Sequence, residues 1–255
     1  MPRRPDPGSV AAARRLIADL RIRAAKEIDV DLIAAHHGIL VRRSPLGHEE
    51  GRLLRAGSTG IINVEEGAYA SNKWRFVIAH EIGHFLRHPS SDDFQACTKG
   101  DLSSYTGSGR ETEANDFASE LLMPQTLFEK KCDRNRPCLK DVGDLAGEFR
   151  TSLTSTALRF VMFAPEPCAV VHSTDGRVDW LDWSDNFRLG IRKKTKLSDR
   201  TYAGDLFAGR NVDDRPSQVD GDAWSDSGWA DQIDLFEHSR RVSPNSVLSF
   251  LWHGA

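Results

Sequence analysis

The chain has 255 residues, a formal net charge of -3, 39% hydrophobic and 28% charged residues. That length allows one large core or two modest ones, and the composition is that of a globular chain rather than a disordered or fibrous one. The charge gives no global attraction to nucleic acid, so no direct nucleic-acid binding is expected.

The opening stretch, MPRRPDPGSVAAARRLIADLRIR, has no uninterrupted apolar run. Neither a signal peptide nor a membrane span is therefore expected, and the sequence reads as cytoplasmic. Cys97, Cys132, Cys138 and Cys168 lack CxxC pairing and read as reduced, a Cys132–Cys138 disulfide being the alternative.

Taken in chain order, Ser9 reads as an N-cap, and Val10, Ala13, Leu16, Ile17, Leu20, Ala24 and Ile28 recur at helical spacing. A short helix over 30–37 should stop at Gly38. Residues 39–43, 52–56 and 61–64 read as strands of a small antiparallel sheet, with turns at 47–51 and 57–60. Helical periodicity returns over 72–87. Residues 88–109 are polar and turn-rich, which predicts a functional loop.

A further helix is expected over 110–123, closed by Pro124 ahead of another helix, and helices follow near 141–149 and 152–163. Pro165-Glu166-Pro167 ends the helical part, so a boundary is placed there, giving domains at 1–164 and 165–255. Beyond it CAVVHS and RVDWLDW flank Asp175-Gly176, a hairpin signal, and 247–252 reads as a closing strand. Residues 198–232 give no assignment. The predicted class is α+β: a helical domain with a small antiparallel sheet, then a smaller mixed β domain.

His80-Glu81-Ile82-Gly83-His84 is an HExxH motif inside the helical segment FVIAHEIGHFL. Two histidines four residues apart project from one helix face, so both imidazoles can reach one Zn²⁺. Glu81, one step round the helix, can take the proton of the attacking water as general base. Gly83 costs the helix about 1 kcal/mol relative to alanine, which implies close approach by a neighbouring backbone or ligand.

A catalytic zinc site needs a third protein ligand. The extension HExxHxxGxxH fails, because Arg87 and Ser90 occupy its Gly and His positions. In RETEANDFASELLMP, Glu111 falls on the inward stripe of Ala114, Phe117, Ala118, Leu121 and Leu122, whereas Glu113 aligns with Asp116 and Glu120 toward a polar side. An inward carboxylate needs a partner, and zinc supplies one. Glu111 is favoured over Glu113, with an arginine salt bridge as the alternative use of Glu111.

The pairing of FVIAHEIGHFLRH with ETEANDFASELLMP resembles the ImmA/IrrE family of metallo-endopeptidases, over about residues 10–163, and the family is gluzincin-like in active-site plan. The resemblance implies zinc held by His80, His84 and Glu111, Glu81 as the base, and a protein substrate such as a DNA-binding repressor. Residues 165–255 resemble the family's C-terminal extensions only weakly. The same donor set also accepts Mn²⁺ or Fe²⁺.

His88, on the face of His84, reads as a helix-end cap, with a further ligand or electrophile as alternatives. Tyr105 and His172 are candidates for stabilising the oxyanion, and Asn115 for hydrogen-bonding a metal ligand, with helix packing as an equal alternative. Residues 141–163 resemble a helix-turn-helix, yet Arg159 and Arg150 are too few for phosphate contacts, which favours a packing role. The competing functional reading is a DNA-binding or ligand-sensing regulator with a structural or vestigial metal site.

Overall fold

The computed structural model describes residues 3–70, 73–88, 94–98 and 109–254, and gives the backbone path alone at 70 and 94–98. By contact the chain forms two compact units, Arg3–Phe128 with Glu148–Ser152, and Glu129–Gly147 with the residues from Leu153 onward.

In the first unit, α1 (Pro7–Asp19) is capped by Asp6, whose carboxylate accepts from Ser9 N at 2.6 Å, while Pro7 takes the first helical turn. The expected cap at Ser9 is thus corrected: proline already has the helical φ and lacks a donor to satisfy. The helix ends at Asp19 and Arg21 turns left-handed (φ 56°), so a separate 3-10 turn at Ala25–Glu27 and the buried Ile28 continue the apolar pattern. Asp29 caps α2 (Val30–His36), and Gly38 at φ 72° reverses the chain after it.

Four strands follow: β1 (Ile39–Ser44), β2 (Glu49–Ala56), β3 (Thr59–Glu65) and β4 (Phe94–Thr98), in the order β1-β3-β2-β4. β1 pairs with β3 in parallel and the other two ladders are antiparallel, so the sheet is mixed rather than wholly antiparallel. β2 and β3 are joined by a tight turn, and β1 adds to the far side of β3 instead of pairing with its sequence neighbour β2. Two stretches read as loop carry strand: β2 begins at Glu49, inside the expected turn, and β4 lies within the polar 88–109 segment.

Against this sheet packs α3 (Lys73–Arg87), with Val77, Ile78, Ile82 and Phe85 meeting Leu53, Ile62 and Val64 in one core. On its other side lies α4 (Arg110–Leu122), followed after Pro124 by the single turn α5 (Gln125–Phe128). The face of α4 expected to be polar is buried at Asp116 and Glu120, each no more than 2% exposed. Ion pairs explain this, because Arg3 meets Asp116 at 2.5 Å and Arg14 meets Glu120 at 2.9 Å, giving each buried carboxylate a cation.

Helices α6 (Leu139–Phe149) and α7 (Leu153–Phe163) come next. The second unit centres on an antiparallel sheet of order β6-β5-β9-β8-β7, built from β5 (Cys168–Thr174), β6 (Arg177–Trp183), β7 (Ser217–Asp220), β8 (Asp234–Ser243) and β9 (Ser246–His253). The β5–β6 turn has Asp175 and Gly176 both left-handed, at φ 49° and 73°, as the Asp-Gly signal requires. The short helix α8 (Tyr202–Phe207) and β7 occupy the stretch that gave no assignment, and α8 is tied down where buried Glu237 accepts from Ala203 N at 2.6 Å. Glu237 also accepts from Trp224 Nε1 at 2.8 Å and Ser239 Oγ at 2.6 Å.

Helix α7 packs on β5 and β6, with Phe160 edge-on to Phe250 at 5.6 Å. Arg159, the one basic residue within it, is 3% exposed, so this helix serves packing and has no basic face for a nucleic-acid backbone. Cys132, Cys138 and Cys168 are free thiols; the Cys97 side chain lies outside the described residues. Among the described residues no helix is long and apolar enough to cross a membrane.

Phe160→Ala should cost about 3–5 kcal/mol of unfolding free energy in urea titration. A helix with an open reading face would lose far less there.

Candidate metal centre

The zinc-type motif sits in the C-terminal half of α3, where His80 and His84 are fully buried and directed at α4. Gly83, between them, is where the two helices touch. A Cβ added there would stand 3.3 Å from Ala114 Cα and 3.2 Å from Phe117 Cβ, so the missing side chain lets the backbones approach. Gly109, at φ 110°, opens α4 in a conformation that favours glycine. Glu111 and Glu113 follow in the first turn, where the helix dipole favours negative charge.

This crossing brings Glu111 onto both rings. His80 Nε2 lies 2.9 Å from His84 Nε2 and 3.2 Å from Glu111 Oε2, and His84 Nε2 lies 3.4 Å from that carboxylate. One donor atom from each of these residues falls within 4.8 Å of the others, which makes them a metal-competent group among the described residues.

The hydrogen bonds on the far side of each ring decide the tautomers. His80 Nδ1 is 2.9 Å from Asn115 Oδ1, an acceptor, so the proton sits on Nδ1 and Nε2 carries a lone pair. His84 Nδ1 is 3.0 Å from His88 Nδ1, and His88 Nε2 is 3.2 Å from Glu113 Oε2. Glu113 only accepts, so a singly protonated His88 donates to it from Nε2 and accepts from His84 at Nδ1, which leaves His84 Nε2 bare as well.

Two lone pairs and a carboxylate facing one another at such distances repel unless a cation joins them. Tetrahedral Zn²⁺, bonded at about 2.0–2.1 Å, separates its ligand atoms by about 3.3 Å; the spacings here run from 2.9 to 3.4 Å. The donor set therefore fits a divalent ion of that size. Its identity, zinc, manganese or iron, is a matter of loading.

Glu81 is also buried but faces the sheet, where Gly51 of β2 lies against it: a Cβ on Gly51 would stand 2.8 Å from Glu81 Oε1. Glu113 does not join the donor cluster, since it meets His88 and Arg87, the latter at 3.5 Å. His88 is neither an exposed cap nor part of the donor set; its bonding to His84 is a function the sequence reading missed, although the i, i+4 spacing was visible. His172, on β5, stacks on Trp180 at 5.1 Å and lies 3.4 Å from Asp179. Tyr105 lies outside the described residues.

An HExxH helix crossed by a second helix that carries a glutamate is the plan of a metallopeptidase-type domain. A family model described as the IrrE N-terminal-like domain, peptidase M78, matches residues 34–161, and the chain belongs to that family. No curated protein matches it. Among solved structures, a Mycobacterium tuberculosis transcriptional regulator is similar with a TM-score of 0.60 at 16% identity, over 98% of this chain and 76% of that one. At that identity the likeness is one of fold.

Metal analysis of purified variants checks the donor set. Glu111→Ala should lose the ion, whereas Glu113→Ala should retain it at reduced affinity; loss confined to Glu113→Ala would reverse the assignment.

Proposed function

We propose that the chain is a zinc-dependent endopeptidase that hydrolyses a peptide bond in a protein substrate, with a transcriptional repressor as the candidate class. The observation that carries this reading is the convergence of His80, His84 and Glu111, in a chain of the IrrE N-terminal-like family, with Glu81 on the same helix turn. Residues 1–164 are assigned the chemistry, and residues 165–255 regulation or substrate recognition.

In this reading His80 Nε2, His84 Nε2 and the Glu111 carboxylate hold the ion. When bound, it supplies Lewis acidity that polarises the scissile carbonyl and acidifies water. Glu81 accepts the proton of the attacking water at a carboxylate oxygen and delivers it to the departing amine nitrogen. Gly51 lets β2 pass close to that carboxylate, so Glu81 is confined between its own helix and the sheet. Asn115 orients the His80 ring.

Glu81→Gln keeps shape and hydrogen-bonding capacity but cannot take up a proton. It should retain the metal and slow cleavage by about 10²- to 10⁴-fold. The substrate search compares cells expressing the wild-type chain with cells expressing this variant, mapping new protein termini by mass spectrometry. Termini found only with wild type identify the substrate. If no terminus depends on Glu81 while the metal stays bound, the competing reading stands: a regulator whose metal site is structural.

Gly51→Ala tests the confinement of Glu81. The added methyl would also stand 2.5 Å from Val77 Cγ1, so something must shift. Metal content should remain while the cleavage rate falls by up to about 10²-fold, as expected for a base displaced by roughly 1 Å.

A further inference from the structure

Beside the donor cluster runs a line of polar groups to which neither metal ligation nor proton transfer assigns a task. It starts at His84 Nδ1, passes to His88 Nδ1 at 3.0 Å, and leaves from His88 Nε2 to Glu113 at 3.2 Å. Arg87 then bridges Glu113, at 3.5 Å, to Asp6 at 3.4 Å. Asp6 is also held through its backbone: its N–H donates to Asp116 Oδ2 at 2.8 Å, and Arg3 grips the same carboxylate.

Gly8 belongs to this arrangement. A Cβ there would fall 2.7 Å from Arg87 Nη2, so the first turn of α1 has a glycine where the guanidinium passes. His88 itself is 8% exposed, and its bonding atoms point along the line rather than at the donor cluster.

We propose that His88 is a positioning residue for His84, oriented in turn by Glu113, and that the arm at residues 3–8 holds Glu113 in place through Arg87. The inference rests on the metal-centre reading and adds to it a support reaching from the N-terminal arm to one ligand. The two rings are fixed by different chemistry: His80 donates to the Asn115 amide, His84 to a neutral imidazole. An amide oxygen can only accept. An imidazole accepts at Nδ1 only if its proton is held on Nε2, which is what the Glu113 carboxylate does. Without His88, the His84 ring is free to turn over or carry its proton on Nε2, and fewer molecules present two lone pairs to the ion.

Losing such an orienting partner typically costs 10- to 100-fold in metal affinity. The test uses the full chain and zinc alone, measured by chelator competition, on wild type, His88→Leu and His88→Asn. Leucine removes the acceptor; asparagine keeps an oxygen near the Nδ1 position. His88→Leu should bind zinc about 10- to 100-fold more weakly, and His88→Asn should recover much of the loss.

A second readout needs no variant. Long-range ¹H–¹⁵N correlation of the zinc-free wild-type chain should show His84 protonated on Nδ1 and His88 on Nε2. Equal zinc affinity in wild type and His88→Leu, equal weakening by Asn and Leu in folded proteins, or His84 protonated on Nε2 would each overturn the proposal. Should neither variant fold, the tautomer spectrum decides. A wild-type chain that does not bind zinc would instead overturn the metal centre itself, and this inference with it.

Discussion

The convergence of His80, His84 and Glu111 depends on how closely two helices cross. At Gly83 the backbone of α3 meets Ala114 and Phe117 of α4, with no room for a side chain between them. Glu111 lies one turn ahead of that contact, while His80 and His84 lie on either side of it. The spacing of the helices therefore sets the reach of the carboxylate to both rings. Ridge-and-groove packing tolerates little change in such a spacing before side chains must repack. The sheet beneath holds α3 in place through Val77, Ile78 and Phe85, so that the crossing is fixed from both sides.

Charge adds a second condition. Helix α4 carries Glu111, Glu113, Asp116 and Glu120, and a helix with that many acids would ordinarily lie at the surface. Here three of the four have basic partners: Arg87 and His88 at Glu113, Arg3 at Asp116 and Arg14 at Glu120. Glu111 faces two imidazoles whose outer nitrogens are already engaged, which is the arrangement a divalent cation completes. The same acids that make the helix look solvent-facing thus bind it to α1, to the N-terminal arm and to α3.

The second unit satisfies its buried polar groups differently. Glu237 is buried in the sheet and accepts from a helix amide, an indole and a hydroxyl. Burial pushes its pKa up, and these three donors pull against that. The carboxylate joins α8 and the loop bearing Trp224 to β8, a structural use of a charged residue rather than a catalytic one. In strand β8 the inward positions, Leu235, Glu237 and Ser239, alternate with residues such as Phe236 and His238, so that polarity does not mark a face.

Local signals were legible wherever contacts between near neighbours decide the structure. The HExxH spacing, the apolar stripe of α4, the stop at Gly38 and the Asp175-Gly176 turn all act within a few residues, and each places its element. Pairing partners and charge partners lie far away in the chain. The sequence did not reveal that β1 would join β3 in parallel, that Phe94–Thr98 would pair with β2, or that Asp116 would be buried against an arginine 113 residues earlier. It presented two histidines, a glutamate on an inward stripe and a glycine that needed a reason. Only the tertiary structure decided that this glycine is the crossing point and that Glu113 meets His88, because neither depends on propensity: both require two segments distant in sequence to occupy the same few ångströms.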